Sequence, residues 1–321
     1  MASTQNHDRR DWTISSGERG QSTTNGDHGI FPEPDRVALR PRDVRYDWAS
    51  LPMHWVPDDP FTTHVLNVLH LLLPEGERWF VRVFSEALPL IRDEQLAEEV
   101  RGFIGQEAMH AEVHQGVLEH LREHGLDPEP FVAQVRWLFR QSLGARGLAT
   151  ERLRQEWLIE RVAGVAAIEH FTAVLGDMIL NSPGLDTAGV DPVMLDMLRW
   201  HGAEEVEHRA VAFDLYRHLD GGYLRRVRQM LVVAPAMAAL WVQGTRFLMA
   251  ADPTGTRRPR LRDLGRPYRR YGLAHPFTLL TSFVPYLRPG YHPSQHGSTA
   301  QAVAYLAGSA SARAADGRVG R

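Results

Sequence analysis

The chain of 321 residues contains no cysteine. This absence excludes disulfide bonds, thiolate metal sites, iron–sulfur clusters and thiol nucleophiles together. An excess of positive charge is lacking as well, because 36 basic and 39 acidic side chains leave a formal net charge of −3. A protein dedicated to nucleic acid needs a basic surface, so we expect no nucleic-acid partner.

Sequence signals for several common chemistries and for export are also missing. The chain has no Gly-rich phosphate loop of the Walker or Rossmann type and no Gly-x-Ser-x-Gly nucleophile elbow. Residues 1–36 are polar and lack the apolar segment of a signal peptide. They predict a disordered N-terminal tail, and the protein is expected to be cytoplasmic.

Helical periodicity of apolar residues dominates from about Pro60 onward, and no stretch shows the alternation of a strand. We expect an interruption near Pro74 in the first helix. Start and stop residues predict helices over 61–91, 94–124, 131–143, 150–180, 191–219, 223–250 and, as an amphipathic piece, 276–287. The pattern predicts an all-α protein with one helical domain over 37–293 and a loosely ordered C-terminal tail over 294–321.

Histidine is abundant, with 16 residues, so imidazole and carboxylate are the metal ligands that this sequence offers. The pattern Glu-x-x-His occurs at Glu107 and His110 and again at Glu205 and His208, inside two separate predicted helices. Residues three apart leave the same face of a helix, so each pair can reach one point inside a bundle.

Bundle di-iron proteins complete such a pair of motifs with one glutamate from each of two further helices. Glu169 follows six apolar or small residues and is expected to point into the core, where a metal ion or a buried arginine would have to compensate its charge. The first helix offers Glu77, with Glu75 and Glu86 as rivals. Four glutamates neutralise two divalent ions, so the sequence predicts a ferritin-like four-helix bundle with additional C-terminal helices and two bound metals.

Four runs of sequence resemble a bacterial family described as predicted metal-dependent hydrolases. They are Gly76-Glu-Arg-Trp-Phe80, Phe103-Ile-Gly-Gln-Glu-Ala-Met-His-Ala-Glu-Val-His114, Glu204-Glu-Val-Glu-His-Arg-Ala-Val-Ala-Phe-Asp214 and Tyr286-Leu-Arg-Pro-Gly-Tyr-His-Pro293. The resemblance extends from Arg45 to Pro293. The ligand pattern of this family is similar to that of ferritin-like di-iron proteins. The resemblance implies the ligand set Glu77, Glu107, His110, Glu169, Glu205 and His208.

A third histidine lies on the same helix face as the second motif. The spacing His-x-x-x-Glu-x-x-His of His201, Glu205 and His208 is similar to that of p-aminobenzoate N-oxygenase-type di-iron enzymes, in which the additional histidine binds iron. The resemblance implies that His201 is a seventh ligand. A hydrogen-bonded core histidine is the alternative.

Three other polar residues stand beside the expected ligands. His114, one helical turn after the first motif, is expected either to bind metal or to support a ligand by a hydrogen bond. Glu204 is expected to orient a ligand histidine. His170 is rotated by about 100° from Glu169 on a helix and is not expected to be a ligand.

Three functions remain open for such a centre. The first is a di-iron oxidase or oxygenase that activates O2 and acts on a small apolar organic substrate, in a bundle that excludes water. The alternative is a two-metal hydrolase, in which the ions lower the pKa of a water molecule. An iron-binding or ferroxidase protein is the second alternative. Two iron ions are the expected cofactor, with other divalent metals as alternatives.

The segment from Met230 to Val242 carries no charged residue. It is shorter than the roughly 20 apolar residues that span a bilayer. One prediction is a buried core helix. The other is a surface over 230–250 that makes peripheral contact with a membrane or with an apolar substrate, and such a surface would also suit a homodimer.

Overall fold

A computed structural model describes residues 33–34, 37–255, 263, 265–273 and 276–319. All regular secondary structure in these ranges is helical, which confirms the all-α prediction. Most of the predicted tail, 1–36, lies outside the described residues. The α-helices are α1 (Pro60–Ala87), α2 (Glu94–Glu123), α3 (Glu129–Trp137), α4 (Glu151–Leu180), α5 (Pro183–Thr187), α6 (Pro192–His208), α7 (Val211–Leu219), α8 (Tyr223–Ala251), α9 (Arg266–Tyr271), α10 (Pro276–Thr281), α11 (Phe283–Tyr286), α12 (Thr299–Gly308) and α13 (Ala310–Val319).

The long helices begin where side chains can accept hydrogen bonds from the first free backbone N–H groups. Asp59, Asp93, Thr150 and Asp191 do this at the starts of α1, α2, α4 and α6. Gly125 ends α2 with a positive φ of 83°, a conformation that favours glycine. The main helix boundaries are therefore fixed by local chemistry that is readable in the sequence.

Two predicted boundaries were wrong. The helix α1 continues through Pro74 without the expected interruption, and the proline removes the one N–H group that would have bonded four residues back. The helix predicted over 191–219 is divided into α6 and α7. At this break the Arg209 guanidinium donates a hydrogen bond to the carbonyl of Val206, one of the carbonyls left free at the end of α6.

The chain beyond Ser294 differs from the loose order expected for 294–321. It contains α12 and α13, and α12 packs against α6. Both helices bury small side chains, among them Ala302 and Ala312, and the Tyr305 hydroxyl donates a hydrogen bond of 2.8 Å to Asp196 on α6. Alanine-rich helices show little contrast between their faces, which explains why the pattern did not reveal them.

The helices that matter for the site pack around a common interior. The helix α1 packs against α2, α4 and α8, while α4 also packs against α6, and α2 contacts α6. At the crossing of α4 and α6, a Cβ atom added to Gly176 would lie 2.6 Å from the carbonyl oxygen of Gly202. These two backbones therefore touch, which only glycine permits.

Two helices, α4 and α8, are long and apolar enough to cross a membrane by length and composition alone. In the most apolar 18-residue segment of α4, 67% is buried inside the protein, whereas in that of α8 only 22% is buried. On α8, Met230 and Ala234 belong to the core, but Leu231, Val232 and Val242 are more than half exposed. The core-helix prediction for 230–242 therefore holds for one face of α8 only.

Candidate metal centre

The predicted ligands come together between α1, α2, α4 and α6. Glu77 lies on α1, Glu169 lies on α4, and the two Glu-x-x-His motifs lie on α2 and α6. None of the four glutamates is more than 2% exposed, and each motif histidine is at most 1% exposed. Within the described ranges, the ligand atoms of these helices form overlapping groups whose members lie within 4.8 Å of one another.

One group surrounds His208. Its Nε2 lies 3.3 Å from a carboxylate oxygen of Glu107, 3.3 Å from one of Glu169 and 3.4 Å from one of Glu205. This nitrogen makes no hydrogen bond with acceptable geometry. One imidazole nitrogen equidistant from oxygens of three glutamates is an arrangement that suits a shared cation.

The second group lies towards α1. It contains Glu77, Glu107 and His110, and a neighbouring group combines His110 with His201 and Glu205. Glu107 and Glu205 thus each belong to groups in both halves of the centre. Carboxylates shared between groups in this way would suit contact with two ions.

Buried ligand atoms without partners test whether metal ions fit this site. Such an atom costs free energy unless something satisfies it. The atoms without a hydrogen bond are both carboxylate oxygens of Glu77 and of Glu107, one oxygen each of Glu169 and Glu205, Nδ1 of His110 and Nε2 of His208. Two divalent ions would satisfy these atoms and balance four carboxylates, so the donor set fits a dinuclear site.

Burial and mutual repulsion dominate the electrostatics of the carboxylates. Burial, followed by the neighbouring carboxylates, raises the pKa of Glu107 well above its usual range, and burial also raises that of Glu77. The pKa of Glu169 is raised to about 7 by burial and by the charge of Glu205. For Glu205, burial acts in the same direction, but His208 and two other histidines outweigh it and hold its pKa well below the usual range. The cluster therefore resists carrying four negative charges unless cations compensate them.

Hydrogen bonds orient both motif histidines. Nε2 of His110 lies 2.9 Å from Glu204, and Nδ1 of His208 lies 3.1 Å from the amide oxygen of Gln106. Because the carboxylate and the amide oxygen can only accept, each of these nitrogens carries the proton. The other nitrogen of each ring faces the carboxylate cluster. Burial alone would lower the pKa of both rings, but the neighbouring carboxylates raise it to about 9 for His110 and about 10 for His208, so a metal ion would have to displace a proton from each ring. Glu204 lies where it can orient His110.

Arg42 connects these two supports. Its guanidinium donates a hydrogen bond of 2.6 Å to Glu204 and one of 3.1 Å to Glu207. Glu207 in turn accepts a hydrogen bond of 2.7 Å from Gln106. The sequence did not identify Arg42, because it lies 162 positions before Glu204 in a segment without helical periodicity.

We expect Arg42→Met to weaken metal affinity by roughly 10–100-fold, the range typical for groups that support metal ligands. The loss arises because both motif histidines lose their anchored hydrogen-bond partners together. Isothermal titration of the metal-free protein measures the effect. Arg45→Met is the matched control, since Arg45 is exposed and its ion-pair partner in the described part of the chain is the neighbouring Asp43. Equal affinities of the two variants would contradict the assigned position of Arg42.

His201 is the end of a chain of three buried histidines. Its Nε2 lies 2.8 Å from Glu205, and its Nδ1 lies 2.5 Å from Nε2 of His114. Nδ1 of His114 lies 2.7 Å from Nδ1 of His70. Burial lowers the pKa of all three, to about 3 for His70 and about 4 for His201, so they are neutral. Because the Glu205 carboxylate can only accept, Nε2 of the neutral His201 ring donates to it, and Nδ1 accepts from His114 behind it.

We did not predict a role for His70 from the sequence, although it precedes Glu77 by seven positions and so shares its helix face.

The two alternative ligands on the first helix, Glu75 and Glu86, point away from the centre. Glu75 accepts hydrogen bonds from Arg136 and Arg140, and Glu86 pairs with Arg161, so neither reaches the centre. Among the described residues no arginine forms an ion pair with Glu169, whose carboxylate instead lies near Thr172 and His208.

His170 lies outside the metal-ligand groups found among the described residues. Its two ring nitrogens bond to the Tyr291 hydroxyl and to the carbonyl of Ser282.

A small cavity of about 30 Å³ adjoins the centre. His201 and Glu205 form part of its wall, and the rest is largely apolar, with Leu69, Leu73 and Leu175. The volume suffices for about one water molecule. A larger guest requires movement of these leucines, and the lining favours apolar groups.

A family model described as "Predicted metal-dependent hydrolase" matches residues 40–297. No curated protein and no solved structure matches the chain.

Proposed function

The chain belongs to the predicted metal-dependent hydrolase family, and we propose that it is an enzyme with two divalent metal ions bound between four helices. The observation that carries this proposal is the convergence of eight buried oxygen and nitrogen atoms that have no hydrogen-bond partner. The proposed ligands are Glu77, Glu107, His110, Glu169, His201, Glu205 and His208. Their order along α1, α2, α4 and α6 supports a relationship to ferritin-like bundles.

We propose hydrolysis of a small apolar ester as the reaction. Bound divalent ions supply a water of lowered pKa and polarise the substrate carbonyl. The protein contributes a frame in which Glu204 and Gln106 orient two ligand imidazoles. The leucine-lined cavity beside Glu205 would hold the apolar part of the substrate once its leucines move apart. Family membership supports this reaction over oxygen chemistry.

The test is an assay of metal-free protein loaded with Zn²⁺, Mn²⁺ or Fe²⁺ under nitrogen, with p-nitrophenyl acetate and butyrate as substrates. We expect hydrolysis that rises with up to two equivalents of metal and does not need O2. Glu169→Gln should lose it, and Glu112→Gln, an exposed position on α2, should keep it. Fully loaded protein that shows no hydrolysis above the Glu169→Gln background with either ester would contradict the proposal.

The second candidate function is O2 activation by two iron ions, and the position of His201 favours it. A third neutral imidazole beside Glu205 would add a ligand to a two-iron centre, whereas a hydrolase needs that position for water or substrate. Under this candidate, protein loaded with two ferrous ions should consume O2 faster than the same iron in buffer. His201→Ala should slow consumption at least about tenfold, by the energy of roughly one lost ligand contact, while most of the iron stays bound.

An oxygen electrode and iron analysis give the two readouts for this comparison. His114→Phe is a useful companion, because it removes the support of His201 and keeps the ligand itself. Equal O2 kinetics of wild type and His201→Ala would exclude a role for His201. O2 use that yields only ferric iron, with no oxidised organic product, would favour an iron-binding ferroxidase.

A further inference from the structure

The exposed side of α8 carries a continuous row of apolar residues. Leu224 is 80% exposed, Leu231 is 55% exposed and Val242 is 58% exposed. Together with the exposed Pro235 they fall within about 40° of one another around the helix, at 100° per residue. Val232, 59% exposed, borders this row. We call these five residues the α8 stripe.

The charges on α8 are all of one sign. The helix contains no aspartate or glutamate over its 29 residues. Arg246 stands about one turn beyond Val242, the last residue of the α8 stripe, whereas Arg228 lies within the stripe and is ion-paired with Glu160 of α4. Arg246 is exposed and forms no ion pair with any residue in the described ranges. In the sequence that follows, 253–272, seven arginines stand against one aspartate.

The opposite face of α8 is bound to the bundle. Met230 and Leu248 are fully buried, and the helix packs against α1 and α4, which carry proposed ligands. A Cβ atom added to Gly244 would lie 3.1 Å from Val68 of α1. A helix fixed in this way cannot leave the bundle to cross a bilayer. It can only present the α8 stripe to something that lies outside.

We propose that the α8 stripe docks the protein on the surface of a membrane that contains anionic lipid. The apolar row would enter the boundary between headgroups and acyl chains, and the exposed Arg246 at its end would meet a lipid phosphate. A second copy of the chain fits this surface less well, because pairing two α8 stripes would offer the exposed Arg246 no acidic partner on the facing helix. The proposal is independent of the reaction that the metal centre catalyses.

The test is flotation of metal-loaded protein with vesicles of phosphatidylcholine alone or mixed equally with phosphatidylglycerol. We expect the wild type to bind the anionic vesicles, and the double variant Leu231→Asp with Val232→Asp to lose at least about tenfold in bound fraction, because two charges oppose burial in lipid. The control is Trp137→Asp with Leu153→Asp, which places two charges at exposed apolar positions on α3 and α4. It should bind like the wild type.

Depth of contact can be measured directly, because a cysteine-free chain accepts a single labelled cysteine. A polarity-sensitive fluorophore at Val232→Cys should shift to shorter wavelength with anionic vesicles, whereas the same label at Leu153→Cys should not. Absence of binding to anionic vesicles would overturn the proposal, and so would equal binding to neutral vesicles. A dimer in light scattering that the Leu231 and Val232 double variant dissolves, without vesicle binding, would assign the stripe to a second copy instead.

Discussion

Glu107→Gln is expected to lower the metal content of the protein from two ions per chain to one or none. Glu107 belongs to ligand groups in both halves of the centre, so its loss should weaken both sites together. The amide keeps the size of the side chain but removes the charge that holds the cations. Elemental analysis after reconstitution with ferrous iron or zinc measures the effect, with Glu112→Gln as an exposed control on the same helix.

The difference in stability between Glu107→Gln and the wild type should change sign when metal is bound. With ions present, losing a site held at about a hundredfold excess over its Kd removes about 2.7 kcal/mol of stabilisation. Without ions, the variant should be more stable than the wild type, because one of four mutually repelling carboxylates is gone. Thermal unfolding of both proteins with and without chelator tests this reversal. A variant that is less stable in both states would show that Glu107 has a packing role only.

Removing the metal is expected to invert the pH dependence of stability. In the metal-free protein the pKa of Glu169 is raised to about 7, above the ordinary value of about 4.5 in the unfolded chain. The protonated carboxyl therefore stabilises the fold at low pH, and this stability is lost as the pH rises towards 7. Between pH 5.5 and 7 the loss is on the order of 2 kcal/mol for Glu169 alone. Glu77 and Glu107, with pKa values raised well above the usual range, act in the same direction.

The metal-loaded protein should behave in the opposite way. Binding requires deprotonated ligands, so metal affinity and the stability that depends on it rise over the same pH interval. Urea unfolding at pH 5.5 and 7.5, with and without chelator, supplies the four values needed. Metal-free Glu169→Gln should show a flatter pH dependence than the wild type. Parallel pH profiles for the loaded and metal-free wild type would contradict a carboxylate-rich metal site.

Local signals were sufficient for most of the fold. Capping residues such as Asp93 and Asp191 predicted helix starts correctly, because a cap acts on its own first turn. The break between α6 and α7 was not predictable in this way, since it involves a side chain, Arg209, that also bonds to Thr299 far along the chain. The alanine-rich α12 and α13 were missed because their buried faces are too small to stand out.

The candidate site likewise combines residues that local spacing predicts with residues that only distant contacts identify. Spacing alone indicated the two Glu-x-x-His pairs, because a helix fixes the angle between residues three apart. Spacing could not separate Glu77 from Glu75, and only the distant Arg136 and Arg140 show that Glu75 faces another partner. Arg42 illustrates the general difficulty, because no local pattern reveals which residue will close a hydrogen-bond network from the far end of the sequence.

The four ligand-bearing helices have a consequence for how the chain folds. The proposed ligands extend from Glu77 to His208, so the centre consists of contacts between segments far apart in sequence, and such contacts form late and slowly. During folding, packing of α1, α2, α4 and α6 must bring carboxylates together before cations can hold them. The centre is then a region where local energetics oppose the global fold. The apolar packing around it must supply the driving force, and metal capture comes as the last step that makes the native arrangement persist.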